Sequence, residues 1–317
     1  MVRFRLQVVN DIIRTTVSDI KDMRIRGAGR IARAGATALV GFADGYAGRD
    51  LEQFRKDLRV AAETILSSRP TAVSLWNGVH YSMRGVDSAE TFEAARDLVV
   101  DNGKEFCVNS EQAVAKIAKI GAKRIKDGDV LMTHCNSSVA IGVIAEAVRQ
   151  GKDIKVFATE SRPWRQGILT VNDLSKAGVD TTLIIDSAVR SVMSRVDRVF
   201  VGADTITSSG SLINKIGTSQ VAMAASEARA EVNVCSETYK FSPKTMFGDV
   251  VTIEERDISE VVKPGEIPED VAVFNPVFDT TPAKYIDNII TEIGIMAPGA
   301  VYGVMAKMFG ESIFDLE

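Results

Sequence analysis

Along the first hundred or so residues, apolar side chains recur at spacings of three and four, the mark of helices that each bury one stripe. This pattern predicts helices over "NDIIRTTVSDIKDM" (10–23), "DLEQFRKDLRVAAETILSS" (50–68) and "SAETFEAARDLVVDNGKEF" (88–106), with glycine-bearing turns such as "FADGYAGRD" between them. Nothing here alternates with period two for long, so a helical N-terminal domain is expected. A further run, "KEFCVNSEQAVAKIAKIGAKRI" (104–125), reads as one continuous helix leading out of it.

After about residue 122 the texture changes. Short apolar runs that end in polar or glycine turns now alternate with helical patterns: "GDVLMTH" then "SSVAIGVIAEAVRQG", "IKVFATE" then "LTVNDLSKAG", "TTLIID" then "AVRSVMSR", "RVFVGAD" then "NKIGTSQVAMAASEARA", and finally "EVNVCSE". Such alternation predicts a parallel sheet with helices on both faces. The expected fold class is α/β: a helical domain with its linking helix over 1–122, then a Rossmann-like, doubly wound domain over 123–317.

Neither GxGxxG after the first strand nor a Walker motif is found, so no nucleotide cofactor is expected. Thirty-eight basic against forty-two acidic residues, a net charge of −4, argue against a nucleic-acid partner held by phosphate contacts. The N-terminal "MVRFRLQVVNDIIR" lacks the uncharged core of a signal peptide, and no apolar run reaches the roughly 18 residues of a membrane span. A soluble cytoplasmic protein without a membrane partner is expected. Three scattered cysteines and two histidines make neither a disulfide framework nor a metal site. Cys107 and Cys235 read as small buried apolar side chains.

In open parallel sheets, functional groups gather where strands end and helices begin. The first strand delivers His134, Cys135, Asn136, Ser137 and Ser138, the second Thr159 to Arg162, the third Asp186, the fourth Asp204, and the fifth Ser236 to Lys240. Cys135 stands just before a helix, where backbone amides and the helix dipole favour a thiolate; a thiol buried in a tight turn is the competing reading. Asp204 closes an apolar strand, a costly place for a carboxylate unless it is paired or used. Helix capping is its competing reading, although "TITSSGSLINK" after it reads as a polar loop. A thiolate and a carboxyl suit proton transfers on opposite sides of a small substrate. His134 adjoins the cysteine and reads as structural.

Anion-binding features accompany the pair. "RIRGAGRIARAG" (24–35) interleaves glycines with Arg24, Arg26, Arg30 and Arg33 at a helix start near Gly29, either a phosphate cradle or a solvated basic face. Arg69 precedes a proline in a non-helical turn. Asn214 and Lys215 are placed at a helix start, and Lys240 lies past the fifth strand.

Eight pieces, "IRGAGRIA", "SRPTAVSL", "GDVLMTHCNSS", "ESRPWRQG", "VFVGADTIT", "NKIGT", "ETYKF" and "FDTTPAKYID", run in order from about residue 20 to 290. Together they resemble the family that holds methylthioribose-1-phosphate isomerases, archaeal ribose 1,5-bisphosphate isomerases and the regulatory subunits of translation initiation factor 2B. The resemblance implies the two-domain fold above and a homo-oligomer, a dimer or a trimer of dimers. It also implies proton transfer by a cysteine and an aspartate, carried here onto Cys135 and Asp204. Substrate contacts carry onto Arg26, Gly27, Ala28, Gly29, Arg69, Asn214, Lys215 and Lys240, with Ser137 and Ser138 added at the cysteine turn.

Methylthioribose-phosphate isomerases read Arg-Gly-Ala-Pro-Ala at the first motif. Gly29 and Arg30 here resemble the bisphosphate branch, and an added arginine suits a second phosphate. Ser138 stands where the bisphosphate enzymes carry a lysine, so its hydroxyl and nearby backbone amides are expected to take over that contact. The implied activity is isomerisation of ribose 1,5-bisphosphate to ribulose 1,5-bisphosphate in nucleoside monophosphate salvage, without a cofactor and with AMP as an activator. Two other readings are a non-catalytic regulatory subunit and the methylthioribose-1-phosphate isomerase; the Cys–Asp pair argues against the first.

Overall fold

The computed structural model describes residues 11–310. Most of the stretch on which the signal-peptide reading rests, residues 1–10, lies outside them. The chain forms two compact units, Met1–Gln112 and Ala113–Glu317.

The first unit is helical: α1 (Asp11–Lys21), α2 (Ala28–Asp44), α3 (Leu51–Leu66), α4 (Val73–Met83) and most of α5 (Phe92–Ala122). The two overlapping helical patterns over 88–125 fuse into α5, and the packing boundary falls inside it. Helix α3 is capped by Asp50, whose carboxylate accepts the Gln53 N–H at 2.7 Å. Phe54, Leu58, Ile65, Leu39, Leu75 and Val79 are wholly buried in one core, each contributing roughly 1.5–3 kcal/mol. Helix α4 has no clean apolar stripe because Ser74, Asn77 and Ser82 are buried on it. It packs alongside α2 in the same direction: Ser74 Oγ donates to the Ala28 carbonyl at 2.9 Å, and farther along a Cβ on Gly78 would meet the Ala32 carbonyl at 3.0 Å.

The second unit holds a seven-stranded sheet: β1 (Val130–Thr133), β2 (Lys155–Thr159), β3 (Asp180–Ile184), β4 (Arg198–Val201) and, after a small second sheet, β7 (Glu231–Cys235), β9 (Asn288–Thr291) and β10 (Gly294–Met296). The order is β10-β9-β7-β4-β1-β2-β3, parallel except for β10. Read along the chain, the six parallel strands have the 3-2-1-4-5-6 order of a doubly wound fold. Successive residues face opposite layers, as strand geometry requires: Leu131, Phe200 and Ile290 join one core, Met132, Val199, Val201 and Ile289 the other. Helices α6 (Ser138–Arg149) and α7 (Gly167–Lys176) follow β1 and β2, the short α8 (Val189–Val192) follows β3, and α9 (Thr218–Ala228) precedes β7. Helix α10 (Val301–Phe309) ends the described chain.

Between β4 and α9 the structure departs from the sequence reading. The expected polar loop and helix start instead form β5 (Thr205–Ile206) and β6 (Leu212–Lys215), which join β8 (Phe278–Thr281) in an antiparallel sheet. Asn214 and Lys215 therefore sit on a strand, opposite Asp279 and Phe278. The sequence reading stopped at β7 and left β8, β9 and β10 unassigned.

Candidate active site

Strands β1 and β4 are neighbours, but their connections leave in opposite directions across the sheet, β1 toward β2 and β4 toward β7. The crevice at such a switch point is where open α/β sheets hold their ligands. Cys135 follows β1 there, and Asp204 follows β4.

Cys135 is half-buried, with a left-handed backbone at φ +65. A non-glycine residue in that region costs about 1–2 kcal/mol and persists only where neighbours enforce it. Here the Cys135 N–H donates to Ser161 Oγ at 2.8 Å, and Thr170 Oγ1 donates to the Cys135 carbonyl at 2.6 Å. The thiol donates to Gln166 Oε1 at 3.4 Å. Ser161, itself at φ +59, is held by Asp186, which accepts the Ser161 and Arg162 N–H groups at 2.9 and 2.8 Å.

His134 fastens the same turn. Its Nε2 lies 2.8 Å from the Ile216 carbonyl, which can only accept, so Nε2 carries the proton; Nδ1 accepts from Thr159 Oγ1 at 2.6 Å. Burial, the largest influence, pushes its pKa down, and both ring nitrogens are engaged. His134 is a latch between β1, β2 and the turn after β6, in keeping with its structural reading.

The sequence reading expected a thiolate stabilised at the start of α6. That helix is instead capped by Ser137, whose Oγ accepts the Ala140 N–H at 3.3 Å, with the exposed Ser138 as its first residue. Burial pushes the Cys135 thiol up to about 11, against the pull of Lys215 and the Asn136 amide; Asp204 and Asp186 add to the rise. Burial and the two carboxylates thus favour the neutral thiol, opposite in direction to the pull expected of the helix start. The charges of Asp204 and Lys215 both act on its sulfur, which brings three of the expected site residues together.

Lys215 is buried, with its ammonium 5.3 Å from the centre of the Phe278 ring. Asn214, also buried, donates to Thr218 Oγ1 at 3.0 Å. The turn between them and α9 is fixed by Asp279, which accepts the Gly217 N–H at 2.8 Å and the Ser219 N–H at 3.1 Å. Lys240 is buried against Glu237, Nζ to Oε2 at 2.7 Å, and Tyr239 donates to the other Glu237 oxygen at 2.8 Å. Burial alone would raise the Glu237 carboxyl, but the Lys240 ammonium and these hydrogen bonds outweigh it and hold it low. Lys240 therefore starts from a buried ion pair.

Arg26, Gly27, Ala28, Gly29 and Arg69 belong to the first unit. Gly27, at φ +86, ends the turn before α2, and Arg26 Nε donates to the Met23 carbonyl at 2.6 Å. Because α2 and α4 run in the same direction, both helix N-termini open at one end. Arg26 stands before one of them, and the turn of Arg69, whose carbonyl accepts the Ala72 N–H at 3.0 Å, stands before the other. Two parallel helix N-termini flanked by arginines favour an anion.

Gln166, Thr170 and Asp279 were not singled out as site residues from sequence, and Ser161 was named only among the residues at the end of the second strand. Gln166 did lie in a quoted motif, three residues before a helical pattern, and Asp279 was the second residue of another. Cys235 lies in the sheet core and burial pushes its thiol upward, as its reading required. Among the described residues no group of three or more His, Cys, Asp or Glu could hold a metal ion, and no helix is long and apolar enough to cross a membrane.

Fold and site define a class: a helical domain followed in the chain by a Rossmann-like domain with a cysteine and an aspartate at its switch point. The sequence matches the Initiation factor 2 subunit family over residues 24–298, and the chain belongs to that family. It is 53% identical over 291 residues to the ribose 1,5-bisphosphate isomerase of Archaeoglobus fulgidus, covering 92% of this chain and 91% of that one. With the enzyme of the same name from Methanocaldococcus jannaschii it shares 48% over 300 residues, 95% and 96% of the two chains. Among solved structures, translation initiation factor eIF-2B of Pyrococcus horikoshii superimposes with a TM-score of 0.79 at 32% identity, covering 92% of this chain and 98% of that one. The 5-methylthioribose 1-phosphate isomerase of Pyrococcus horikoshii gives 0.73 at 28% identity, covering 96% and 88%.

Proposed function

We propose that this chain is a sugar-phosphate aldose–ketose isomerase that converts ribose 1,5-bisphosphate to ribulose 1,5-bisphosphate. The observation that carries the reading is the placement of Cys135 and Asp204 after the adjoining strands β1 and β4, with the Asp204 charge felt at the sulfur. Two relatives of that name at 53% and 48% identity over nearly full length support the substrate.

With O1 esterified, the furanose cannot open through a free hemiacetal, so an acid at the ring oxygen and a base at C2 must act together. In this reading Cys135 and Asp204 share one proton. Moving it from Cys135 to Asp204 makes the working pair. The thiolate takes the C2 proton, the C2–H electrons form the C1=C2 bond as the C1–O4 bond breaks, and O4 takes the Asp204 proton. The open-chain enol phosphate then gives its O2 proton to Asp204 as the C2 carbonyl forms, and C1 takes its proton from Cys135. Atoms balance, and both groups return to the working pair.

Lys215 and Lys240 in the second unit, and Arg26 and Arg69 with the Gly27-Ala28-Gly29 turn in the first, serve as phosphate-binding groups. Lys240 would exchange its Glu237 partner for phosphate. Asn214, Ser137 and Ser138 serve as polar substrate contacts. The reading extends to a cytoplasmic homo-oligomer in nucleoside monophosphate salvage that AMP activates. The test is an assay of purified protein with ribose 1,5-bisphosphate and with methylthioribose 1-phosphate, each with and without AMP, scored for ketose. Ketose from the bisphosphate, raised by AMP, supports the reading; ketose from the methylthio sugar alone, or from neither, overturns it.

A further inference from the structure

Among the described residues, Gln166 is the side chain hydrogen-bonded to the Cys135 sulfur, at 3.4 Å, and the proton transfers above give it no task. Its place is fixed closely. Gln166 immediately precedes α7, and Gly167 after it is pressed so near the end of β2 that a Cβ there would lie 1.7 Å from the Thr159 carbonyl oxygen. One turn into α7, buried Thr170 donates to the Cys135 carbonyl. The start of α7 thus grips the cysteine at both sulfur and backbone.

A carboxamide presents an acceptor at one end and a donor at the other. A thiol offers the amide an S–H, whereas a thiolate can only accept. Half a turn about the last bond of Gln166 exchanges an oxygen for an N–H at the same place, with no movement of the backbone. Hydrogen bonds to an ionised partner are roughly twice as strong as neutral ones, so the exchange favours the thiolate. The charged groups acting on this sulfur are Lys215 from β6, Asp204 from the end of β4 and Asp186 from the end of β3. Two of the three oppose ionisation, which leaves the neutral amide a distinct role.

We propose that Gln166 is a positioning residue for Cys135, accepting its S–H in the resting protein and turning to donate an N–H to the thiolate. The proton passes to Asp204 in the reaction and to water in the free protein. The inference rests on the reading of Cys135 as the base, but its test does not require isomerase activity.

The test is the rate of iodoacetamide alkylation at Cys135, resolved from Cys107 and Cys235 by peptide mass spectrometry, from pH 7.5 to 10.5 in the full chain. In this range the rate follows the thiolate fraction. Gln166→Leu is expected to slow alkylation about tenfold at pH 9, with the kcat–pH profile on ribose 1,5-bisphosphate displaced the same way. Gln166→Glu, nearly isosteric, places a carboxylate at the sulfur and is expected to slow it more. A Cys135 profile unchanged in Gln166→Leu, or in Gln166→Glu should the first variant not fold, overturns the proposal. A shifted profile in a protein inactive on the bisphosphate upholds it and removes the substrate reading instead.

Discussion

Gly202, at the end of β4, lies directly against Ser137, the cap of α6: a Cβ built on Gly202 would stand 2.4 Å from Ser137 Oγ and 2.6 Å from its Cβ. One residue, Asn136, separates Ser137 from Cys135 on one side of this contact, and one, Ala203, separates Gly202 from Asp204 on the other. The turn that carries the thiol and the strand end that carries the carboxyl are therefore seated on one another.

Gly202→Ala tests that seating. The added methyl must displace the Ser137 turn, at about 1–3 kcal/mol of overpacking. Because misplacement by about 1 Å costs on the order of 100-fold in rate, turnover is expected to fall about 10- to 100-fold. Steady-state kinetics beside a urea melt check this; turnover within twofold of wild type would show that the two turns move independently.

Cys135 pays for its position in backbone strain. At φ +65 a glycine is at ease and an alanine is not. Cys135→Gly is expected to be more stable than Cys135→Ala by about 1 kcal/mol, with both inactive. Equal denaturation midpoints would mean that the left-handed turn is not strained.

Asp279 gives a pH signature of unusual sign. Burial pushes its carboxyl up to about 6, although the Ser219 and Gly217 amides pull it down. An unfolded aspartate titrates near 3.9, so between about pH 4 and 6 the folded state binds more protons, and this group's contribution to stability falls as pH rises. Asp279→Asn has no such proton to lose. Its melting temperature relative to wild type is expected to climb from pH 4.5 to 7. A difference constant across that window would assign Asp279 an ordinary carboxylate.

The parts legible in the sequence are those that repeat. Helices α1 and α3 and strands β1, β2 and β4 declare themselves by period and by polar residues at their ends, so Cys135 and Asp204 could be placed before any coordinates. Helix α4 could not, because Ser74, Asn77 and Ser82 are buried by packing against α2 and interrupt its stripe. Strands β5 and β6 are two and four residues long and form only by pairing with each other and with β8, nearly seventy residues on; no local pattern marks such a sheet. The hairpin of β9 and β10 did leave a signal, "NIIT" and "GIM" about a two-residue turn. At Cys135, proximity to a helix start is visible in sequence, whereas burial and the occupation of the cap by Ser137 are not.

The most direct test follows the C2 proton. Ribose 1,5-bisphosphate bearing deuterium at C2 is mixed with wild type, Cys135→Ser and Asp204→Asn, and ketose formation is read by NMR beside a binding measurement on each protein. The expected result is a primary isotope effect on wild-type turnover and a loss of about 100- to 10,000-fold in each variant with binding retained. Turnover within tenfold of wild type in either variant while substrate is bound would contradict proton transfer by Cys135 and Asp204.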